Sequence, residues 1–184
     1  GRGIVCSDAT YHGNSNEVFK MSARPVADPN FRSIPFPQTY RPLSEGASGD
    51  ELTRSYLDKL QEAIDSFAEN NIPFAGLFVC SIFANEGLPD IPEGFMARAV
   101  DLVHKAGGVV IADEVQAGYC RSGNWWGYET SQFAPDIVTM GKPMGNGLPV
   151  SAVVSSTELV SAFRKNTYYF NTFASSPVQA ATGM

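Results

Sequence analysis

The stretch from Gly107 to Gly147 decides the fold: GGVVIADEVQAGYCRSGNWWGYETSQFAPDIVTMGKPMGNG. Its first apolar run, Val109–Ala112, is β-branched and bounded by glycines, which predicts a strand buried on both faces of a parallel α/β sheet. The second apolar run, Ile137–Met140, predicts another strand. The first run stops at Asp113 and the second stops just before Lys142. Both strands therefore end on chemically reactive side chains.

Because ligands bind at the carboxyl ends of strands in open α/β sheets, we expect Asp113 and Lys142 at one edge of the sheet, on neighbouring or nearby strands. A lysine amine can form an imine with an aldehyde, and a buried carboxylate can keep a pyridine nitrogen protonated. We also expect partial burial of the amine, which would lower its pKa. A phosphate-binding loop is excluded because no Ser or Thr follows the lysine.

The two segments IADEVQAGYCRSG (111–123) and DIVTMGKPMGNG (136–147) closely resemble the class III aminotransferases. These pyridoxal-phosphate enzymes include the ornithine, 4-aminobutyrate and other omega-aminotransferases. The resemblance implies a three-layer α/β/α fold with a mostly parallel sheet, the fold-type I large domain. It also implies that Asp113 pairs with the pyridine nitrogen of pyridoxal 5'-phosphate and that Lys142 forms the Schiff base. We interpret residues 1–184 as one domain, a fragment without the N-terminal segment and the C-terminal small domain.

Further cofactor contacts follow from the same resemblance. The segment Thr10-Tyr11-His12-Gly13 corresponds to the family's A-Y-H-G, where the aromatic residue stacks on the cofactor ring. We therefore assign Tyr11, His12 and Gly13 to cofactor binding, although the residues alone favour a core tyrosine at a strand end. The resemblance also implies that Val115 covers the second face of the ring and that Gln116 donates to the phenolic oxygen.

Thr172 lies in NTFASSP (171–177), which resembles the family's T-F-x-x-x-P segment. There the threonine reaches the cofactor phosphate of the neighbouring subunit, which implies a homodimer with shared active sites. The alternative is an ordinary cap before a helix. Glu114 and Arg121 also match the family wording, but we assign them no catalytic role.

One position departs from the family. Class III members commonly carry a carboxylate where this chain has Cys80, and SIFANEG (81–87) is nearer the alanine-glyoxylate aminotransferase and phospho-lyase branch. The implied function is transfer of an amino group from an amine or amino acid to a keto acid, with Lys142 moving the proton. One alternative is a phospho-lyase that acts on a phosphorylated amino alcohol. Another is a truncated, non-catalytic fragment.

Composition restricts the function classes. The hydrophobic fraction of 43%, the charged fraction of 17% and the net charge of −6 are typical of a soluble globular protein and disfavour nucleic-acid binding. No apolar run predicts a membrane span, and we expect a cytoplasmic protein. Cys6, Cys80 and Cys120 are widely spaced, which predicts buried or half-buried free thiols, neither a disulfide framework nor a metal site.

The remaining elements alternate between strands and helices, as in βαβ units. The proline-rich segment Met21–Gly49 predicts an irregular excursion. Capping boxes are predicted at Ser48-x-x-Glu51 and Ser155-x-x-Glu158, and a glycine cap at Gly107-Gly108. Strands are predicted near 3–7, 74–81 and 150–154, and helices after residue 48, over 92–106, after residue 155 and from about residue 177.

Overall fold

The structure is a computed structural model that describes residues 1–22 and 28–184. Six strands form one sheet in the order β2-β1-β3-β4-β5-β6. Strands β1 to β5 are parallel, and β6 runs antiparallel to β5. The mostly parallel α/β sheet is therefore confirmed. The strands are β1 (Gly3–Ser7), β2 (Phe31–Ile34), β3 (Phe74–Cys80), β4 (Val109–Asp113), β5 (Ile137–Met140) and β6 (Ala152–Ser155).

Two long helices and several short ones accompany the sheet. They are α1 (Asn16–Phe19), α2 (Gly49–Glu69), α3 (Phe95–Lys105), α4 (Gly127–Thr130), α5 (Thr157–Asn166) and α6 (Pro177–Gly183). Two 3₁₀ helices cover Lys142–Gly145 and Thr172–Ser175. Within the described ranges, no helix is long and apolar enough to cross a membrane.

The main core lies between one face of the sheet and helices α2 and α3. The apolar residues of α2 recur every three or four positions, so they form one stripe along the helix. Alternate residues of the central strands face that stripe, since strand side chains alternate between faces. Each large apolar side chain buried in this way stabilises the fold by about 1.5–3 kcal/mol. The core includes Val5, Leu57, Leu60, Phe67, Leu77, Val79, Met96, Val103, Val110 and Ala112.

The two faces of β4 differ in burial. Val110 and Ala112 are fully buried, whereas Val109 and Ile111 are half-buried. The prediction of a strand buried on both faces is therefore wrong for this chain. The physical reason is that the α2 and α3 layer covers only the face to which Val110 and Ala112 point.

The predicted glycine cap between α3 and β4 is confirmed. Gly107 has a φ of 77°, a conformation in which glycine carries no Cβ strain. The Gly107 N–H donates to the His104 carbonyl at 2.9 Å, and the Gly108 N–H donates to the Val103 carbonyl at 3.0 Å. This pair of bonds is a Schellman motif. It stops the helix and turns the chain into β4, which leads to the site.

Four sequence-based expectations need correction. Ser48 is the N-cap of α2, but its side chain makes no cap hydrogen bond, so the predicted capping box does not form. The segment Met21–Gly49 contains strand β2, which pairs with β1, while Pro25 lies outside the described residues. A four-residue edge strand between prolines has too short a pattern to identify. Helix α3 begins at Phe95, because Gly94 at its N-cap is left-handed. The cap of α5 is Ser156, whose hydroxyl accepts from the Leu159 N–H.

Candidate active site

Asp113 and Lys142 lie at the same edge of the sheet, as predicted. Asp113 ends β4 and is paired in register with Thr139 of β5. Lys142 follows Thr139 after Met140 and Gly141. A Cβ built on Gly141 would lie 3.9 Å from Val115 Cγ2, so the lysine turn borders the loop that follows Asp113. Two adjacent parallel strands thus place the acid and the turn that carries the amine at the same edge of the sheet.

The Asp113 carboxylate is held by two donors. Its side chain is buried, and Oδ1 accepts a hydrogen bond from the Val115 N–H at 2.9 Å. Its Oδ2 lies 2.7 Å from Nδ1 of His12. Each carboxylate oxygen has two lone pairs, so one further donor can still bind. The carboxylate is therefore both fixed in orientation and able to receive a proton donor from a ligand.

His12 is the partner that links Asp113 to strand β1. Its side chain is fully buried, and its ring centroid lies 4.2 Å from that of Phe78. Its Nε2 lies 2.8 Å from the Thr10 hydroxyl oxygen. The sequence assigned His12 to the cofactor without a specific contact. The hydrogen-bonded series Thr10–His12–Asp113 could not be predicted from the sequence, because 101 positions separate His12 from Asp113.

Lys142 opens the 3₁₀ turn just beyond β5 and has a φ of 42°. A non-glycine residue with positive φ is strained, and such strain is typical of functional turns. The side chain is exposed, so the expected partial burial of the amine is wrong for this chain. The reason is the position of the turn: it projects past the end of the sheet, where the amine reaches solvent.

The residues assigned to the cofactor ring and its phenolic oxygen lie near this edge. Tyr11 is 45% exposed, and its carbonyl accepts from Nδ2 of Asn85 at 2.8 Å. Gln116 donates from Nε2 to Oδ1 of Asn85 at 2.9 Å. Asn85 thus bridges the two predicted cofactor residues, a role without a sequence signal. Gly13 has a φ of 130°, which favours glycine there, and Val115 is half-buried.

Thr172 lies in the second 3₁₀ helix and is exposed. No contact among the described residues joins it to Asp113 or Lys142. Its assignment to the cofactor phosphate of a neighbouring subunit stays a prediction.

Glu114 has a structural environment. It is fully buried, and its carboxylate accepts from the Gly127 N–H at 2.8 Å and the Tyr128 N–H at 2.9 Å. These N–H groups open α4, where a carboxylate satisfies donors that have no partner within the helix. The contacts support leaving Glu114 out of the catalytic set.

The three cysteines are free thiols with different surroundings. Burial raises the pKa of the Cys80 thiol to about 11 and that of Cys6 to about 12. Cys80 is the register partner of Asp113, so a protonated thiol stands beside the carboxylate. Cys120 is exposed, which corrects the expectation of burial for all three. It lies in the loop between β4 and α4, away from the core.

The residues of this edge fit pyridoxal phosphate. Asp113 offers a fixed anionic acceptor of the kind a protonated pyridine needs. Lys142 offers an amine on the adjacent turn, and Tyr11 offers a partly exposed flat ring. A fixed carboxylate, a nearby amine and an aromatic face at the carboxyl ends of parallel strands are the features of a cofactor-dependent group-transfer enzyme.

Comparison with known proteins identifies the family. The profile of the Aminotransferase class-III family matches residues 2–184. The chain belongs to the class III aminotransferase family, whose members depend on pyridoxal phosphate.

Two curated relatives are alanine–glyoxylate aminotransferases named as mitochondrial. The Arabidopsis thaliana alanine–glyoxylate aminotransferase 2 homolog 2 is 35% identical, over 98% of this chain and 37% of that protein. The Homo sapiens alanine–glyoxylate aminotransferase 2 is 37% identical, over 79% of this chain and 28% of that protein. The chain thus spans about a third of the length of these relatives. A cytoplasmic location for the present chain stays a prediction.

A solved structure also matches closely. It is a phospholyase from Arthrobacter in complex with phosphoethanolamine, with a TM-score of 0.90 and 34% identity. The match covers 98% of this chain and 44% of that chain. The fold predicted from the family resemblance is therefore confirmed.

Proposed function

We propose that the protein to which this chain belongs is a pyridoxal-phosphate-dependent aminotransferase. It transfers an amino group from an amine or amino acid to a keto acid. The observation that carries the proposal is the placement of Asp113 at the end of β4 and of Lys142 in the turn after β5, the adjacent parallel strand. Membership of the class III family supports it.

When bound, pyridoxal phosphate supplies an electron sink for the carbanion at the substrate carbon. Asp113 would hold the pyridine nitrogen and stabilise its protonated form, because the carboxylate is held in place by His12 and the Val115 N–H. Tyr11 and Val115 would cover the two faces of the ring and exclude water from them. Gln116 would orient the ring through its phenolic oxygen.

Lys142 would hold the cofactor through its amine and would move a proton at the substrate carbon. Its position suits this role, since Lys142 lies in the short turn that follows β5, and β5 pairs with β4, which ends at Asp113. The exposure of the side chain gives the amine freedom to move between the two tasks.

A phospho-lyase is the second candidate, and two observations favour it. The Arthrobacter phospholyase shares this fold with a TM-score of 0.90 at 34% identity. Cys80 also replaces the carboxylate that is common at its position in the family, and burial keeps that thiol protonated at neutral pH. Release of inorganic phosphate from phosphoethanolamine would favour the lyase, whereas keto-acid-dependent transfer of the amine would favour the aminotransferase.

The same proposal includes a homodimer with shared sites. The C-terminal part of the chain supports it, because the segment from β6 to α6 exposes several large apolar side chains, and clustered exposed apolar residues mark interaction surfaces. Thr172, assigned to the neighbouring subunit's phosphate site, lies within this region. The exposed residues are Val153, Val154, Phe163, Tyr168, Tyr169, Phe170 and Val178. Sedimentation of the protein at several concentrations tests this part.

Covalent labelling tests the site directly. The chain is incubated with pyridoxal phosphate, reduced with borohydride and digested, and the modified peptide is identified by mass spectrometry. We expect the label on Lys142, its loss in Lys142→Ala, and its retention in Lys105→Ala, a control at the exposed end of α3. Equal labelling of Lys142 and surface lysines would contradict the proposal and favour the non-catalytic alternative.

A further inference from the structure

A series of three hydrogen-bonded polar side chains runs from the segment after strand β1 to the candidate site. Thr10 is 1% exposed, and its hydroxyl oxygen lies 2.8 Å from Nε2 of His12. The His12 side chain is fully buried, and its Nδ1 lies 2.7 Å from Oδ2 of Asp113. The far end of this series, Thr10, has no part in the function proposed above.

The hydrogen positions in this series follow from the chemistry of its members. An ionised carboxylate only accepts hydrogen bonds, so the 2.7 Å contact requires a hydrogen on Nδ1 of His12. A neutral imidazole then has a lone pair on Nε2, which needs a donor. The threonine hydroxyl can donate, and it is the group within reach. In an imidazolium, by contrast, Nε2 would donate and the hydroxyl would accept.

The ring of His12 has one apolar and one charged neighbour. Burial penalises a charged imidazole, and the ring lies against Phe78 at a centroid distance of 4.2 Å. Asp113 is the charged group that faces the ring, and Cys80, the register partner of Asp113, keeps its proton. Asp113 favours the charged imidazole. Burial opposes it, and the Thr10 hydroxyl can stabilise the neutral ring by donating to Nε2.

We infer that Thr10 is a positioning residue: its hydroxyl donates to Nε2 and holds His12 in the neutral tautomer that carries its hydrogen on Nδ1. The effect of this arrangement on cofactor binding rests on the proposed function. A neutral donor at Oδ2 orients Asp113 and leaves its full negative charge for the pyridine nitrogen. An imidazolium would pair with that charge and weaken the hold on the pyridine proton.

Thr10 is buried, so its hydroxyl is a polar group in the interior. A buried hydroxyl at this position needs a partner, since an unpaired polar group in the interior is unfavourable. His12 is that partner, two residues further along the same extended segment.

Nitrogen NMR of labelled histidine in the cofactor-free chain tests the tautomer. The chain has two histidines, so the spectrum of a His104→Gln variant assigns His12. At neutral pH we expect Nδ1 to be protonated and Nε2 to be an unprotonated, pyridine-type nitrogen. We expect Thr10→Val, which removes the donor with little change of shape, to lose this pattern, and Thr10→Ser to keep it.

A wild-type spectrum with hydrogen on Nε2, or with both nitrogens protonated, would overturn the inference, even if Thr10→Val does not fold. A Thr10→Val spectrum equal to that of the wild type would also overturn it.

A cofactor titration then measures the consequence. We expect Thr10→Val to bind pyridoxal phosphate about tenfold more weakly, the size of effect typical of outer-shell partners, and Thr10→Ser to bind like the wild type. Unchanged affinity in Thr10→Val would overturn the positioning role. If pyridoxal phosphate forms no covalent link to Lys142 in the wild type, the proposed function fails. The tautomer inference is still tested separately, because the histidine spectrum is recorded without cofactor.

Discussion

Asp113 and Glu114 are adjacent in the chain, yet their carboxylates bind different parts of the molecule. Asp113 is held by His12 at the candidate site. Glu114 accepts from the first N–H groups of α4, at Gly127 and Tyr128. Successive side chains of an extended chain point to opposite sides. One of two neighbouring acids can therefore face the candidate site while the other binds the N-terminus of α4. Glu114 also continues the sheet, since its N–H donates to the Thr139 carbonyl at 2.8 Å.

We expect Glu114→Gln to lower the free energy of unfolding by about 1–3 kcal/mol. The amide removes the charge from two hydrogen bonds and places a donor against an N–H group. Urea denaturation measures the change. Glu62→Gln, at an exposed position of α2, is the control and should shift stability by less than about 0.5 kcal/mol. Equal effects of the two substitutions would show that the Glu114 contacts do not stabilise the loop.

Asp113→Asn is expected to weaken binding of pyridoxal phosphate by about 10- to 100-fold, because hydrogen bonds to charged groups contribute about 1.5–3 kcal/mol. The amide keeps the shape but cannot balance a protonated pyridine. An absorbance titration measures the affinity, with Asp101→Asn on the exposed side of α3 as a matched control. Affinity that is unchanged in Asp113→Asn would remove Asp113 from the cofactor site.

Thiol labelling should distinguish the cysteines. At pH 8 we expect one thiol of the folded chain to react quickly with a disulfide reagent, since Cys120 is exposed whereas Cys6 and Cys80 are buried with a raised pKa. All three should react after unfolding in urea. Cys120→Ser should remove the fast phase. A fast phase that survives in Cys120→Ser would mean that the sheet edge opens readily.

The same two buried thiols should make stability depend on pH. Burial raises the pKa from 9.0 to about 11 for Cys80 and to about 12 for Cys6, so the folded state keeps protons that the unfolded chain releases above pH 9. Their contribution is present in full below pH 9 and is lost as pH rises toward about 11 to 12. Each thiol should lower the free energy of unfolding by about 1.4 kcal/mol per pH unit in that range.

Urea denaturation between pH 8 and 10 checks this slope. The Cys6→Ala and Cys80→Ala variants should each show a smaller loss per pH unit than the wild type, while Cys120→Ala should follow the wild type. If all three variants share the wild-type slope, other groups cause the alkaline loss.

Gly76→Ala should destabilise the chain by about 3 kcal/mol or more, because overpacking commonly costs 1–3 kcal/mol and here the obstacle is backbone. A Cβ at Gly76 would lie 2.0 Å from the Val109 carbonyl oxygen, so β3 and β4 would have to separate. Gly183→Ala is the control, since its Cβ would meet only Val150 at 4.0 Å. Thermal unfolding of both variants makes the comparison. A Gly76→Ala variant as stable as Gly183→Ala would contradict the strand spacing.

Much of the fold could be predicted because it depends on local patterns. The stripe of α2, the glycine cap at Gly107 and the apolar run of β4 all follow from spacing along the chain. The edge strand β2 was missed, since its four residues carry no such pattern and form a strand by pairing with β1. The burial of β4 was overestimated because sequence pattern does not show which face of a sheet a helix layer covers.

By itself, the sequence determined the alternation of the central strands with the long helices, the positions of Asp113 and Lys142 at or just after strand ends, and the family resemblance of residues 111–147. These properties depend on residue type and on separation along the chain. Tertiary structure alone decided that His12 would hold Asp113, that Asn85 would bridge Tyr11 and Gln116, and that Lys142 would be exposed. The physical reason is that such contacts join strands and loops distant in sequence, so their distances exist only after the sheet has formed.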